Sequence, residues 1–288
     1  MSVNYCRIWV ILWVLFFSSI HYLMAENSFQ PQGQAIDSFI RYIPQRDAET
    51  MSGEIAIVEA DSEYSDEFLV CDKLPLKFSL AQGYIGIENS TAVELPAHLA
   101  SLSTDFETTL PFFRIQNTYI RFGLSPSFFG DDYSFDTLDF RLPFRSFIIY
   151  LADDKLTLLA GVAVYPDFER EVYPILGFIY KANDKLTFNI VPKKPNISCK
   201  LNDKVTAFAE GGASFTEYEV KKDDLESAVL RYRELHLGGG VKYKFNEFIQ
   251  GSVSLGRIFN RSLKYRDSLG KVNIKDGAYV ELRLEIRI

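Results

Sequence analysis

One tight turn recurs along this chain and constrains what can lie between its copies. Asp72-Lys73-Leu74-Pro75, Asp154-Lys155-Leu156-Thr157, Asp184-Lys185-Leu186-Thr187 and Asp203-Lys204-Val205-Thr206 share one pattern, and Asp153, Asn183 and Asn202 precede the last three. Asn and Asp favour such turns because their side chains hydrogen-bond the nearby backbone and tolerate left-handed dihedrals. Each copy opens an alternating segment, as in Leu156, Leu158, Ala160, Val162 and Val164, or Leu186, Phe188 and Ile190. Looser relatives stand at Arg114 to Asn117 and Phe245 to Phe248. Longer polar connections fall between them, at Gly130 to Asp136, Asp167 to Tyr173, Lys221 to Ser227 and Arg266 to Asp276. Tight turns at one rim and long loops at the other describe a membrane-spanning β-barrel.

The last segment carries the same message. Val280, Leu282, Leu284, Ile286 and Ile288 occupy one face, and Glu281, Arg283, Glu285 and Arg287 occupy the other. In a soluble sandwich the aliphatic face is core and the charged face is solvated. In an outer-membrane barrel the aliphatic face meets lipid and the charges pair across the lumen. From about residue 53 onward no long run has helical spacing and no Gly/Ser-rich linker interrupts the pattern, so the reading is one all-β domain. Hydrophobic residues at 47% and a mean hydropathy of -0.02 exclude intrinsic disorder for most of the length. A net charge of -7, with no basic tract, excludes nucleic acid as the main partner.

Residues 1 to 25 read as a secretory signal. Arg7 supplies positive charge, Ile8 to Ile20 is an uncharged apolar run of 13 residues, and Ala25 precedes Glu26 at the expected cleavage point. The run is shorter than the roughly 17 to 25 residues of a spanning helix. Cys6 lies within this signal, leaving Cys71 and Cys199, for which a disulfide is allowed but not required. Residues 26 to 50 are less patterned and are expected to be a tail or a lumen plug, with the barrel over 51 to 288. Turns near 72, 116, 154, 184, 203 and 246 and the C-terminus close seven descending strands, with six ascending ones between them. Thirteen is odd, whereas bacterial barrels are normally even. Either residues 35 to 48 add a strand, giving fourteen, or the hairpin between 184 and 203 is too short to span, giving about twelve. The expected fold is an antiparallel transmembrane β-barrel of twelve to fourteen strands.

The stretches Asp203-Lys204-Val205-Thr206, Val191 to Ser198 (VPKKPNIS), Leu230 to Phe245 (LRYRELHLGGGVKYKF) and Phe259 to Asp267 (FNRSLKYRD) resemble an uncharacterised family of bacterial outer-membrane β-barrels, labelled as a domain of unknown function. The similarity runs from about residue 50 to the end. It implies fold and outer-membrane location only and assigns no activity; the expected partners of such a barrel are outer-membrane lipid and the barrel-assembly machinery. Such barrels commonly end in Phe or Trp, whereas this chain ends in Ile288.

Candidate chemistry is sparse. His98 lies in a loop stretch, and His236 shares a face with Glu234, Gly238, Gly240 and Lys242. The functional reading of Glu234 and His236 is an acid/base pair; the plainer one is two polar residues in a hydrated lumen. HExxH, CxxC and clustered His/Cys sets are absent from the sequence, so no metal or cofactor is expected. Asp131, Asp132 and Asp136, and Asp223, Asp224 and Glu226, lack a full calcium-loop pattern. Gly238-Gly239-Gly240 is mid-strand and points to curvature or close packing rather than to a phosphate loop. Glu210, Glu234, His236, Glu281, Arg283, Glu285 and Arg287 are the candidate lumen residues. The expected function is a channel or passive transporter for small solutes, without catalysis. A closed structural or ligand-binding barrel is the alternative, and a lipid-modifying barrel enzyme using His236 and Glu234 is the third reading.

Overall fold

The computed structural model describes residues 33–70, 74–112, 115–131, 139–166, 168–169, 171–192, 194–222, 225–266 and 269–288. The expected cleavage at Ala25 and Glu26, and Cys71 with its possible bridge, lie outside them. Among the described residues every regular element is a strand. Four long strands lead, β1 (Ala35–Asp47), β2 (Glu54–Val70), β3 (Leu74–Asn89) and β4 (His98–Pro111). Then come β5 (Thr118–Leu124), β6 (Ser127–Gly130), β7 (Asp139–Arg141), β8 (Phe144–Leu151), β9 (Leu156–Val164) and β10 (Val172–Lys181). A short hairpin follows, β11 (Leu186–Ile190) and β12 (Asn196–Lys200). The chain ends in β13 (Val205–Lys222), β14 (Leu225–Lys244), β15 (Ile249–Tyr265), β16 (Lys271–Ile274) and β17 (Gly277–Arg287).

Three of these segments continue the one before. The breaks fall at Ser125-Pro126, Leu142-Pro143 and Lys275-Asp276, so β5 with β6, β7 with β8 and β16 with β17 are single wall strands. Proline lacks the ladder N–H, which accounts for two of the interruptions. Fourteen wall strands remain, and β1 pairs with both β2 and β17, so the sheet closes on itself. Closure removes every free edge from the ring, the condition for spanning a bilayer with strands.

The first strand corrects the expected boundary. Ala35–Asp47 runs antiparallel to β17 from Ala35↔Arg287 to Tyr42↔Val280, so this stretch is wall and not tail or plug. Of the two ways to reach an even number, the fourteenth strand is the one realised. The hairpin between 184 and 203 is counted in the ring, although β11 and β12 have only five residues each.

The tight turns share one construction. Asp153 Oδ1 accepts from the N–H groups of Lys155 (2.7 Å) and Leu156 (2.8 Å), and Asn183 Oδ1 accepts from Lys185 and Leu186, both at 2.9 Å. Asn202 does the same for Lys204 and Val205, and Asn246 for Phe248 and Ile249. The capping residue is therefore the Asn or Asp before the repeated Asp-Lys pair, and the looser relative at 246 belongs to the same set. At the loop rim, Lys222 pairs with Leu225, so β13 and β14 run paired into the expected long connection over 221 to 227. His98 begins β4 and stacks on Tyr84 with ring centroids 6.0 Å apart.

Polarity inverts along the height of the barrel. Near the tight rim the outward face is apolar and exposed, as at Leu237 (60%), Leu255 (63%) and Leu282 (56%), while charges point inward. Exposed apolar side chains at this height form the belt that meets lipid. Towards the loop rim the outward positions become polar, as at Gln45 and Lys264, and the inward ones become aliphatic or aromatic. Ile43, Ile55, Ile57, Leu99, Leu230, Ile258, Leu263 and Val272 pack there with no exposure at all. Strands of up to 20 residues exceed the ~9 to 11 that cross a bilayer, so this core stands above the belt. The lower storey is a membrane barrel, and the upper storey is packed like a soluble β domain.

Candidate functional site

Between the two storeys lies a layer of buried charge. Arg41, on β1, has Nη1 at 2.9 Å from Glu59 Oε2 and 3.1 Å from Glu234 Oε1, and Nη2 at 2.7 Å from Glu281 Oε2. All four side chains are at most 9% exposed. The Tyr232 hydroxyl lies 2.6 Å from Glu59 Oε1 and 2.7 Å from Glu234 Oε2 and donates to one at a time. Arg41 also stacks over the Tyr279 ring, 4.9 Å from its centroid. Strands β2, β14 and β17 each send one carboxylate to the same guanidinium, so the layer ties β14 to β1 and its two neighbours. Isolated buried charges are very costly, and pairing is what permits them.

Arg261 enters this layer through a bulge. Arg233 pairs with Ser262 but Leu235 pairs with Phe259, so β15 holds one extra residue against β14. Asn260 takes it up in the left-handed region, at φ 55°. Below the bulge even-numbered residues such as Ser254 and Ile258 face inward; above it Arg261, Leu263 and Tyr265 do. The Arg261 guanidinium is 2% exposed, with Nε 3.5 Å from Glu234 Oε2 and no hydrogen bond among the described residues.

Two glycines make room for the ring beneath Arg41. Gly238, Gly256 and Tyr279 stand in register on β14, β15 and β17. A Cβ at Gly238 would overlap the Tyr279 hydroxyl, and one at Gly256 would overlap the ring. The triple-glycine stretch thus serves close packing, as its place in the strand suggested.

Below the charge layer the lumen is polar and partly accessible. Arg283 bridges Glu281 (2.8 Å) and Asp37 (3.2 Å), and Lys194 also reaches Asp37 at 3.2 Å. Lys242 Nζ lies 2.6 Å from Glu285, to which Gln250 also donates. Ser254 donates to Glu210 at 3.3 Å. Arg287 is 71% exposed at the tight rim, 4.0 Å from Glu285. The His236 ring lies across Gly212, with Nδ1 at 3.4 Å from Glu234 Oε1.

The structure thus brings Glu234, His236 and Glu281 together, places Glu210, Arg283 and Glu285 below them, and leaves Arg287 at the mouth. Sequence reasoning missed Arg41, Glu59, Tyr232 and Arg261. The alternation Asp37, Phe39, Arg41, Ile43 was a usable signal for the first. Arg261 gave none, because the bulge reverses its face.

Among the described residues, no group of three or more His, Cys, Asp or Glu side chains is arranged to hold a metal ion. Cys199 has no disulfide partner among the described residues and lies on the outward face, level with Leu186.

Several solved structures are similar to this chain. The COG4313 outer membrane channel from Pseudomonas putida F1 aligns over 91% of this chain and 98% of its own, at 11% identity and a TM-score of 0.47. A TodX monoaromatic hydrocarbon channel mutant aligns over 90% and 91%, at 10% identity and a TM-score of 0.47. The KdgM porin in complex with oligogalacturonate aligns over 88% and 98%, at 10% identity and a TM-score of 0.34. No curated protein matches the sequence. The family profile described as domain of unknown function DUF6268 matches residues 116–284, from the turn before β5 to the last strand, and the chain belongs to that family.

Proposed function

We propose that this barrel resides in the bacterial outer membrane, with its tight rim in the periplasm, and passes small solutes passively without catalysing a reaction. The observation that carries the reading is the lower lumen. Asp37, Lys242 and Glu285 are paired yet keep 33%, 33% and 20% of their side-chain surface accessible. That is the condition of groups lining a wet passage rather than a sealed core. Charges of both signs give such a passage modest ion selectivity.

The buried Arg41 layer and the aliphatic core above it narrow the straight route upward. The expected conductance is therefore small for a ring of fourteen strands. The same core favours a second reading, a closed barrel whose outer face binds a partner. Planar-bilayer recording under a salt gradient separates the two, because discrete steps support the channel and silence after confirmed insertion supports the closed barrel. Recovery of the protein in washed outer membranes, with heat-dependent gel mobility, tests the location.

His236 and Glu234 do not favour an enzyme here. Glu234 is held by Arg41 and Tyr232, and His236 Nδ1 lies 3.4 Å from it without a hydrogen bond among the described residues.

A further inference from the structure

The axial route narrows above the lower lumen, and the wall beside that lumen has one place where its strands fall short. The β11–β12 hairpin stops low. The last pair between β10 and β11 is Phe178↔Ile190, and the last between β12 and β13 is Asn196↔Glu210. Gly211 N donates to Pro195 O at 3.0 Å, and the next contact along that edge of β13 is the parallel pair Glu219↔Gly130. Between these ties, Pro174–Leu176 of β10 pair only with β9 and Gly212–Thr216 of β13 only with β14, so the edges they turn towards each other carry no strand pairing among the described residues.

The sequence marks this stretch as an edge. Pro174 has no N–H to leave unpaired, and proline within a sheet is confined to edges and bulges. The opening is framed above as well as below. Phe168 packs edge-on against Phe129, 6.1 Å between centroids, and Glu169 N donates to Glu217 at 3.3 Å, which carries the β9–β10 loop over to β13. Five residues of β13 correspond to a height of about 13 to 16 Å, and the two short strands at the base set a width there of about 14 Å.

Its level is that of the apolar belt, since the outward neighbours Leu176 and Phe215 are 70% and 42% exposed. Lipid-exposed backbone without partners is not tolerated in hydrocarbon, but backbone lining a water-filled cavity is. The lumen behind the opening has two kinds of wall. Strands β8 to β10 turn Phe147, Ile149, Leu159, Ile175 and Ile179 inward as well as presenting apolar residues outward. Facing them are the charges of β1, β14 and β17.

We propose that the gap between β10 and β13 is a lateral window through which a small amphiphile exchanges between the lower lumen and the lipid. Its apolar part rides the β8–β10 wall and its polar part the charged wall opposite. This rests on the channel reading and adds its exit.

The test places a bimane fluorophore at Ser214→Cys, an inward position on the window edge, in a chain whose three native cysteines are serine. Reporters at Ala209→Cys and Ser252→Cys mark paired wall facing lipid and lumen respectively. Reconstituted vesicles receive either doxyl-labelled stearate in the bilayer or iodide in the buffer. The expected result is that both quench the Ser214 reporter, each by at least half of its effect on the matching control. Quenching by iodide alone means that lipid amphiphiles do not reach the lumen there, and overturns the window. Quenching by stearate alone means that Ser214 faces lipid only, and overturns it equally. Neither outcome depends on conductance, so a conducting barrel with no lipid access at Ser214 loses the window and keeps the channel.

Discussion

Arg41 Nη1 lies 3.1 Å from Glu234 Oε1, although the two residues stand on β1 and β14, with β15 and β17 between them in the ring. The contact spans one side of the ring instead of linking neighbouring strands. With Glu59 and Glu281 on the same guanidinium, it joins four strands at one point.

Removing that cation leaves three buried carboxylates facing each other. Arg41→Met is expected to cost about 3 to 5 kcal/mol, the range for breaking a buried pair by removing one partner. The check is the urea midpoint of the barrel in detergent or lipid. Adding Glu59→Gln and Glu281→Gln to Arg41→Met should recover part of the loss. No recovery would show that Arg41 acts through packing alone.

Tyr279 gives a sharper pair of variants. Its hydroxyl is buried without a hydrogen-bond partner among the described residues, so Tyr279→Phe should leave stability unchanged within about 1 kcal/mol or raise it. Gly238→Ala places a methyl against that hydroxyl and should cost about 1 to 3 kcal/mol. In the double variant Tyr279→Phe should relieve much of this cost, a coupling that a double-mutant cycle measures. Gly256→Ala meets the ring itself, so the same second change should not rescue it.

The turn caps offer a test of local chemistry. Asn183→Ala and Asn202→Ala each remove an oxygen that accepts from two backbone N–H groups, and each should lower stability by about 1 kcal/mol. Asp184→Ala, in the repeated pair itself, should fall within about 0.5 kcal/mol of the parent. Equal losses at 183 and 184 would contradict the assignment of the cap.

Much of this fold was legible because the lower storey obeys a simple alternation. Leu282, Arg283, Leu284 and Glu285 announce a wall with lipid on one side and a charged lumen on the other, and the spaced Asx turns mark one rim. The upper storey reverses that polarity within single strands, from Leu237 outward to Leu230 inward on β14, and hydropathy alone does not say which face a lone apolar residue takes. The Asn260 bulge hides Arg261 for the same reason. The lumen candidates on β13, β14 and β17 were readable from charge at alternate places, whereas their common partner Arg41 lay in a stretch expected to be tail or plug. The apolar inner wall was visible too, in FIIYL, LTLLAGVAV and the opening of VYPILGFIYK, where both faces are apolar. Read with the five-residue strands that follow, it points to the window.

His236 separates passage from catalysis. His236→Ala should leave conductance steps unchanged within about twofold, because the ring packs against Gly212 of the neighbouring wall strand. Loss of a lipid-modifying activity in that variant, measured on outer-membrane lipid extracts, would instead assign the residue a catalytic part.

Single-channel recording of the folded barrel in a planar bilayer under a salt gradient addresses the central claim most directly. The account predicts small, discrete steps, below those of an unobstructed barrel of fourteen strands, with a reversal potential showing modest selectivity. Persistent silence, with insertion confirmed by heat-dependent gel mobility, would contradict it and establish a closed barrel.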